Sequence, residues 1–266
     1  MTRISQRFAD LKKTGHKGFI AYITAGDPNL KATVEMVLRL EEVGVDVVEL
    51  GVPFSDPLAD GRVNQESAYR ALAAGATTEG VLHAIATIRE KSEIPILCYS
   101  YMNPLMALGM QSFIRRAAKS GMDGLLLLDL PYEEAEDVPD LLDQAKVDHI
   151  CLVTPTSPEK RIAHIVKRAS GFIYCVSREG VTGAQSTFNS AASEIVAKTR
   201  RHTDLPVAIG FGISSPQTAR DAARQADGVV VGSAIVQRFD GEPHTPAGRK
   251  KAAAWVGQLV KAVKEV

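Results

Sequence analysis

The sequence predicts a closed barrel of eight parallel strands, each followed by a helix, which is a (β/α)8 fold. Eight short apolar runs alternate with longer stretches of helical period. These runs are apolar throughout, which is typical of parallel strands covered by helices. Eight strand and helix units in 266 residues favour one barrel domain over residues 1–266, and an open, doubly wound sheet is the alternative.

The predicted strands are rich in branched and aromatic residues and are bounded by turn-forming residues. They lie at residues 18–24, 46–51, 94–101, 123–130, 149–154, 172–177, 205–211 and 227–232. Before the first strand, residues 1–13 predict a short amphipathic helix, because Ile4, Phe8 and Leu11 fall on one helical face.

Two further features support the division into strand and helix units. Three helices are predicted to begin at a capping residue with a proline in the first turn, at Asp27-Pro28-Asn29, Ser157-Pro158 and Ser215-Pro216. A weak repeat also passes from a helix end through a short turn and an aspartate into a buried strand. Its copies read "EEVGVDVVELG", "AAKSGMDGLLLLDL" and "ARQADGVVVG".

The composition indicates a protein that acts on a small molecule. Lys and Arg total 31, and Asp and Glu also total 31, so no net charge favours nucleic acid or an anionic membrane. The three cysteines are far apart in apolar stretches, as expected of reduced thiols in a cytoplasmic protein. No apolar run approaches the ~18 residues of a membrane span, so we expect no membrane association.

In a (β/α)8 barrel the functional site lies at the carboxyl ends of the strands. No lysine or histidine is predicted at these ends, which argues against imine chemistry and against a metal site. The residues at these positions are Thr24, Glu49, Tyr101, Asp129, Thr154, Ser177, the turn 210–212 and Gly232. For Asp129, capping of the next turn is as good an interpretation as a functional role.

Glycine-rich turns after the seventh and eighth predicted strands indicate a phosphate site. The turns are "GFGISSP" (210–216) and "GSAIV" (232–236), and each precedes a helix whose first amides can bind an anion. A tight turn without a ligand is the alternative. The stretch "SREGVTGAQ" (177–185) after the sixth strand predicts a lid that closes over the ligand.

The stretch "VVELGVPFSDPLADG" (47–61) places Glu49 at the end of a buried strand and Asp56 and Asp60 in the loop that follows. At the mouth of an apolar barrel, desolvation should raise the pKa of Glu49, so that it can act as an acid and then as a base. A buried ion pair that orders the barrel is the alternative. Asp56, between Ser55 and Pro57, equally suits a turn-forming hydrogen bond.

The chain resembles the tryptophan synthase alpha subunit family over nearly its whole length. The matching segments are "YITAGDP" (22–28), "ELGVPFSDPLADG" (49–61), "SREGVTG" (177–183), "GFGISSP" (210–216) and "VGSAIV" (231–236). The resemblance implies an enzyme of tryptophan biosynthesis that cleaves indole-3-glycerol phosphate to indole and glyceraldehyde 3-phosphate. It also implies an alpha2beta2 heterotetramer in which the beta subunit, and not this chain, carries pyridoxal phosphate.

The resemblance also implies residue roles. Glu49 matches the family's principal acid/base, and Asp60 matches the carboxylate that binds the indole nitrogen. The positions of the phosphate site are Gly183, Gly212, Gly232 and Ser233, and those that line or close the pocket are Tyr22, Tyr174, Thr182 and Phe211. The loop around Asp56 and the lid at 178–185 would face the beta subunit.

The sequence departs from the family pattern directly after Gly61. Here the chain reads "RVNQ", with Arg62 and Asn64 where the family has proline and isoleucine. Losing the proline frees a backbone dihedral, and Asn64 replaces an apolar anchor. Three alternatives stay open: a stand-alone lyase, a weakly active allosteric partner of a beta subunit, and a phosphosugar isomerase on the same scaffold.

Overall fold

Parallel strands joined into one barrel wall surround the core. The computed structural model describes residues 1–135, 137–176, 185–210 and 212–266. Within these residues the wall has nine strands: β1 Gly18–Thr24, β2 Val47–Gly51, β3 Ile96–Ser100, β4 Gly124–Leu127, β5 Asp148–His149, β6 Cys151–Val153, β7 Ile173–Val176, β8 Val207–Gly210 and β9 Gly228–Val231.

The strand order confirms the predicted barrel. It runs β5-β4-β3-β2-β1-β9-β8-β7-β6, with every neighbouring pair parallel. The two end strands, β5 and β6, are separated along the chain only by Ile150, so the wall closes on itself. An open, doubly wound sheet would instead reverse its strand order in the middle.

The strand predicted at residues 149–154 is interrupted, which is why the structure has nine strands rather than eight. β5 pairs with β4, whereas β6 pairs with β7. Between them the Ile150 amide still donates to the Leu125 carbonyl, at 3.0 Å. The chain therefore changes its pairing partner from β4 to β7 at Ile150, and the ladder of strand hydrogen bonds is interrupted there.

Helices follow the strands and cover the outside of the wall. Their bounds are α1 Arg3–Thr14, α2 Leu30–Glu42, α3 Arg62–Ala73, α4 Thr78–Arg89, α5 Met102–Met106, α6 Met110–Ser120, α7 Val138–Ala145, α8 Glu159–Arg168, α9 Gln185–Arg200, α10 Pro216–Ala223, α11 Ser233–Asp240 and α12 Pro246–Lys264. No single helix among the described residues could cross a membrane, although α3 and α4, bent by 94°, together meet the length and composition required.

The predicted helix starts are borne out in part. Ser215 caps α10, and its hydroxyl and that of Thr218 form a capping box. At the first site it is Asn29 whose side chain caps α2, accepting from the Ala32 amide at 2.9 Å. The prediction for Ser157 was wrong, since Pro158 is the cap position of α8 and the Ser157 hydroxyl accepts from the Thr154 amide instead.

The core has two layers. The inner layer fills the barrel, and the outer layer lies between the strands and the surrounding helices. α1 closes the amino-terminal end of the barrel, because its predicted apolar face, Ile4, Phe8 and Leu11, belongs to the inner layer. Phe8 contacts Phe172 across the barrel axis with ring centroids 5.4 Å apart. The expectation of a short amphipathic helix is confirmed.

The aspartates of the predicted repeat have a common structural role at this amino-terminal end. Asp46, Asp123 and Asp227 stand directly before β2, β4 and β9, and each carboxylate accepts from an amide at the start of the preceding strand. The donors are Phe19 to Asp46 at 2.7 Å, Ile96 to Asp123 at 2.9 Å and Val207 to Asp227 at 3.0 Å.

Each of these carboxylates also has a basic partner. The partners are Lys264 for Asp46, Arg89 for Asp123 and Arg200 for Asp227. A buried or half-buried carboxylate is stable only when hydrogen bonds and an opposite charge compensate its lost hydration. The aspartates of the repeat thus link neighbouring strands by hydrogen bonds at the amino-terminal end of the barrel, opposite to the candidate site.

Candidate active site

Three tyrosines and one glutamate form a second layer inside the barrel, toward the carboxyl ends of the strands. Each lies two residues after a member of the inner apolar layer, so its side chain points the same way, into the barrel. The pairs are Ile20 and Tyr22, Val47 and Glu49, Leu97 and Tyr99, and Phe172 and Tyr174. Strand periodicity alone therefore gathers these four side chains.

Glu49 is the buried acid of this layer, with 1% of its surface exposed. Burial raises the pKa of Glu49 to about 8, and the negative charge of Asp60 adds to the effect. Oε1 of Glu49 has no hydrogen-bond partner, and no ion pair involves Glu49 among the described residues. The structure thus supports the expected raised pKa and not the alternative of a structural ion pair.

Asp60 returns over the same end of the barrel from the loop after β2. Tyr99 donates to Oδ1 of Asp60 at 2.8 Å, and Tyr101 donates to Oδ2 at 2.7 Å. The Asn64 amide nitrogen is 3.4 Å from Oδ1. Burial raises the pKa of Asp60, whereas these three hydrogen bonds act in the opposite direction.

The loop that carries Asp60 is held by Tyr101, which the sequence places at a strand end, and by Gln65, which was not predicted as a site residue. The Gln65 amide donates to the carbonyls of Pro57 and Asp60, at 3.2 and 2.9 Å. The Tyr101 hydroxyl accepts from the Ala59 amide at 3.0 Å. These three contacts fix the loop without a proline after Gly61, and the glutamine of "RVNQ" was the available sequence signal.

The two departures from the family pattern have different surroundings. Arg62 pairs with Glu66 one helical turn further on, at 2.7 Å, and its side chain is 89% exposed. An exposed pair of this kind contributes little to stability. Asn64 instead faces Asp60, and its buried Oδ1 has no partner among the described residues. Of these two residues, only Asn64 therefore contacts the candidate site.

Tyr22 lies on β1, which pairs with the strand of Glu49, and Tyr174 lies on β7, further around the barrel. The Tyr22 ring lies edge-on to the Tyr99 ring, with centroids 5.0 Å apart. Burial is the main cause that raises the pKa of both Tyr22 and Tyr174 well above the ordinary value, and the charges of Asp60 and Glu49 reinforce it. Both hydroxyls are therefore neutral and able to donate.

Glycine at two strand ends gives these tyrosines their space. A Cβ at Gly210 would lie 2.5 Å from the Tyr174 hydroxyl, and one at Gly51 would clash with the Tyr22 hydroxyl in the same way. Any side chain at either position would force the ring out of its present place. Gly210 is also the first residue of the predicted phosphate turn. The same glycine therefore makes room for Tyr174 and begins that turn.

The predicted phosphate positions that the structure describes lie at the expected end of the barrel. Gly212 follows β8 by two residues and has a φ of 72°, a conformation that favours glycine. Gly232 follows β9 directly and is the cap position of α11, whose first residue is Ser233. Outside the described residues lie Thr182, Gly183, Phe211 and all of the predicted lid (177–185) except Gln185, which begins α9.

Two further acids near the strand ends, Asp129 and Asp56, make other contacts and are not part of the group around Glu49. The Asp129 carboxylate accepts from the Met102 amide at 2.8 Å, so it binds the first turn of α5, earlier in the chain, rather than the turn that follows its own strand. Asp56 is exposed and accepts from the Ser55 hydroxyl at 3.1 Å, as expected of a turn residue. No group of three or more potential metal ligands occurs in the part of the chain that the structure describes.

Comparisons with known proteins identify the family. The family profile described as "Tryptophan synthase alpha chain" matches residues 8–264. The tryptophan synthase alpha chain of Citrifermentans bemidjiense is 48% identical over 240 residues, 90% of each chain, and that of Geotalea uraniireducens is 45% identical over 266 residues, 100% of this chain and 99% of the relative.

Solved structures agree with this assignment. Tryptophan synthase subunit alpha from Legionella pneumophila has a TM-score of 0.89 at 32% identity, with 100% of both chains covered. A chain of tryptophan synthase from M. tuberculosis in an aminoacrylate-bound form has a TM-score of 0.88 at 30% identity, covering 99% of this chain and 100% of that one. Together with the barrel, the buried Glu49 and the half-buried Asp60, these similarities show that this chain belongs to the tryptophan synthase alpha chain family.

Proposed function

We propose that Glu49 and Asp60 are the catalytic carboxylates with which this chain cleaves indole-3-glycerol phosphate to indole and glyceraldehyde 3-phosphate. The observation that carries the proposal is the burial of Glu49, with its pKa raised to about 8, beside a second carboxylate at the carboxyl end of the barrel. The family to which the chain belongs is that of the lyase subunit of tryptophan synthase.

The chemistry explains why two carboxylates suffice. Breaking the carbon–carbon bond to C3 of indole would expel a carbanion from an electron-rich ring. Protonation of C3 first converts the ring to an indolenine, whose iminium nitrogen accepts the electrons of the breaking bond. The reaction then needs an acid for C3, an anion near the ring nitrogen and a base for the glycerol hydroxyl.

The environments of the two carboxylates suit different roles. Glu49, with its pKa near 8, is largely protonated at neutral pH and can give a proton to C3 and later take one from the glycerol hydroxyl. Asp60 accepts hydrogen bonds from Tyr99 and Tyr101, which favour its ionised form and so suit it to stabilise positive charge at the ring nitrogen.

The remaining predicted residues would bind the substrate around this pair. Tyr22 and Tyr174 would line the pocket beside the reacting carbons, and Thr182 and Phe211 would line or close it. The phosphate would lie on the amides of Gly183, Gly212, Gly232 and Ser233. A helix amino terminus at Ser233 supports this placement, because its amides carry partial positive charge.

We further propose that the chain works in the cytoplasm in an alpha2beta2 heterotetramer with a tryptophan synthase beta subunit, which holds the pyridoxal phosphate. The face around the barrel mouth would contact that subunit, through the Asp56 loop and the lid at 178–185. Leu58, in this loop, is 90% exposed, and Met106, after the next strand, is 62% exposed. These two apolar side chains are therefore accessible to a partner at the face that the proposal assigns to the beta subunit.

Indole release from indole-3-glycerol phosphate, measured with and without a beta subunit, tests this function. We expect activation of at least about tenfold in the complex, which is an ordinary coupling between subunits. Equal, fast turnover without the partner would show a stand-alone lyase. Slow turnover under both conditions would show an allosteric partner, and failure of indole to compete with the substrate would favour a phosphosugar isomerase.

A further inference from the structure

We propose that Tyr99 is a positioning residue that holds the Asp60 carboxylate in its working orientation. The inference deepens the function proposed above and rests on it. Tyr99 is the donor to Oδ1 of Asp60, at 2.8 Å, and it comes from a different strand than the one that carries Glu49. Nothing in the sequence pattern associates residue 99 with the loop that carries residue 60.

The two tyrosines beside Asp60 have separate tasks. Tyr101 donates to Oδ2, and its hydroxyl also accepts from the Ala59 amide, so it fixes the loop as well as the carboxylate. On Oδ1 the other contact is the long one from Asn64, at 3.4 Å. Tyr99 therefore supplies the short hydrogen bond that prevents the carboxylate from rotating about the axis defined by Tyr101.

Tyr99 is well placed for this task because it is part of the barrel wall. Its backbone pairs with Gly51 on one side and Leu126 on the other. Its ring packs edge-on against Tyr22, with centroids 5.0 Å apart. A residue of the wall thus orients a carboxylate that belongs to a loop, and rigid elements give a more exact site geometry than loops do.

Tyr99 also affects the charge state of Asp60. Among the described residues, the titratable groups that face Asp60 are Tyr22 of β1, Glu49 of β2, Tyr99 of β3, Tyr101 directly before α5, and Tyr174 of β7. The tyrosines are neutral, and burial of Asp60 disfavours its negative charge. Each hydrogen bond to Asp60 counteracts this, so loss of the Tyr99 hydroxyl should raise the pKa of Asp60.

Tyr99→Phe keeps the ring and removes only the hydroxyl, and the assay is indole release by the full chain with its beta subunit. We expect kcat to fall at least about tenfold with KM changed less than about twofold, because the lost hydrogen bond is to a charged group that acts in the transition state. The acid limb of the pH profile should move to higher pH, since activity requires ionised Asp60 and its pKa has risen.

Two controls make the result decisive. Tyr69→Phe, at a tyrosine of α3 that is 49% exposed, should leave kcat and the pH profile unchanged. The thermal unfolding midpoint of Tyr99→Phe should stay close to that of the unmodified chain. A kcat loss without movement of the acid limb would show a merely structural role, and a change confined to KM would show substrate binding, so either result overturns the inference.

Asp60→Asn, assayed in parallel, separates this inference from the function on which it rests. If Asp60→Asn is inactive and Tyr99→Phe behaves like the unmodified chain, the inference fails while the proposed function stands. If Asp60→Asn retains full activity, the assignment of Asp60 itself fails. A severe loss in Asp60→Asn, with a smaller and pH-shifted loss in Tyr99→Phe, supports both.

Discussion

Glu49→Gln removes the cleavage of indole-3-glycerol phosphate, with an expected fall in kcat of at least about 10³-fold. The side chain keeps its size and stays buried, but it can no longer give a proton to C3 or take one from the glycerol hydroxyl. Single-turnover measurement of indole release, with and without a beta subunit, checks this result. Substantial cleavage by the variant would show that another group handles these protons.

Binding should survive the same substitution, because the predicted phosphate turns at Gly212 and Gly232 lie on other strands. We expect the dissociation constant for glyceraldehyde 3-phosphate to change less than about threefold, as measured by calorimetry. Asp56→Asn is the matched control, since it also neutralises an acid of the segment 47–61 but at an exposed position. When it is assayed without the beta subunit, which the Asp56 loop is proposed to contact, the control should retain the kcat of the unmodified chain.

Glu49→Gln should also change how stability depends on pH. The pKa of Glu49 is about 8 in the folded state and 4.5 in the unfolded reference, so the folded state binds the proton more tightly. Its contribution to the free energy of unfolding is complete below pH 4.5 and is lost as pH rises through about 8. This loss, on the order of a few kcal/mol, should be absent in the variant when urea unfolding is compared at about pH 6 and pH 9.

Asp123→Ala is expected to cause the largest loss of stability, roughly 3 to 5 kcal/mol in the free energy of unfolding. Asp123 is 3% exposed and accepts from Arg89 at 2.6 Å, from Arg3 at 3.0 Å and from the Ile96 amide at 2.9 Å. Its removal leaves the Arg89 guanidinium, which is 10% exposed, without that countercharge, and it leaves a strand amide without its acceptor.

Urea unfolding at equilibrium, supported by the thermal midpoint, measures this effect. A loss of this size should lower the midpoint by on the order of 10 °C. Asp10→Ala is the control, because Asp10 also pairs with a basic residue, Lys13, but on the exposed face of α1. An Asp123→Ala variant as stable as the control would mean that the strand-start aspartates do not fasten the barrel.

The barrel and part of its candidate site could be predicted from local features of the amino-acid sequence. Apolar runs and helical periods are local properties, so the strands, the apolar face of α1 and the closed barrel were predictable. The sequence likewise predicted Glu49 at the carboxyl end of the second strand, which is β2. The interruption at Ile150 was not predictable, because it depends on which neighbour each half of the strand pairs with.

The contacts that hold Asp60, and the desolvation of Glu49, arise only in the folded barrel. Asp60 meets Tyr99 and Tyr101 across 39 and 41 residues of chain, and Asn64 and Gln65 turn back toward the loop through the first turn of α3. Sequence reasoning identified Arg62 and Asn64 as unusual, but the fold exposes Arg62 and directs Asn64 at Asp60. Hydrogen bonds and desolvation depend on distances between side chains remote in sequence, which are defined only when the barrel closes.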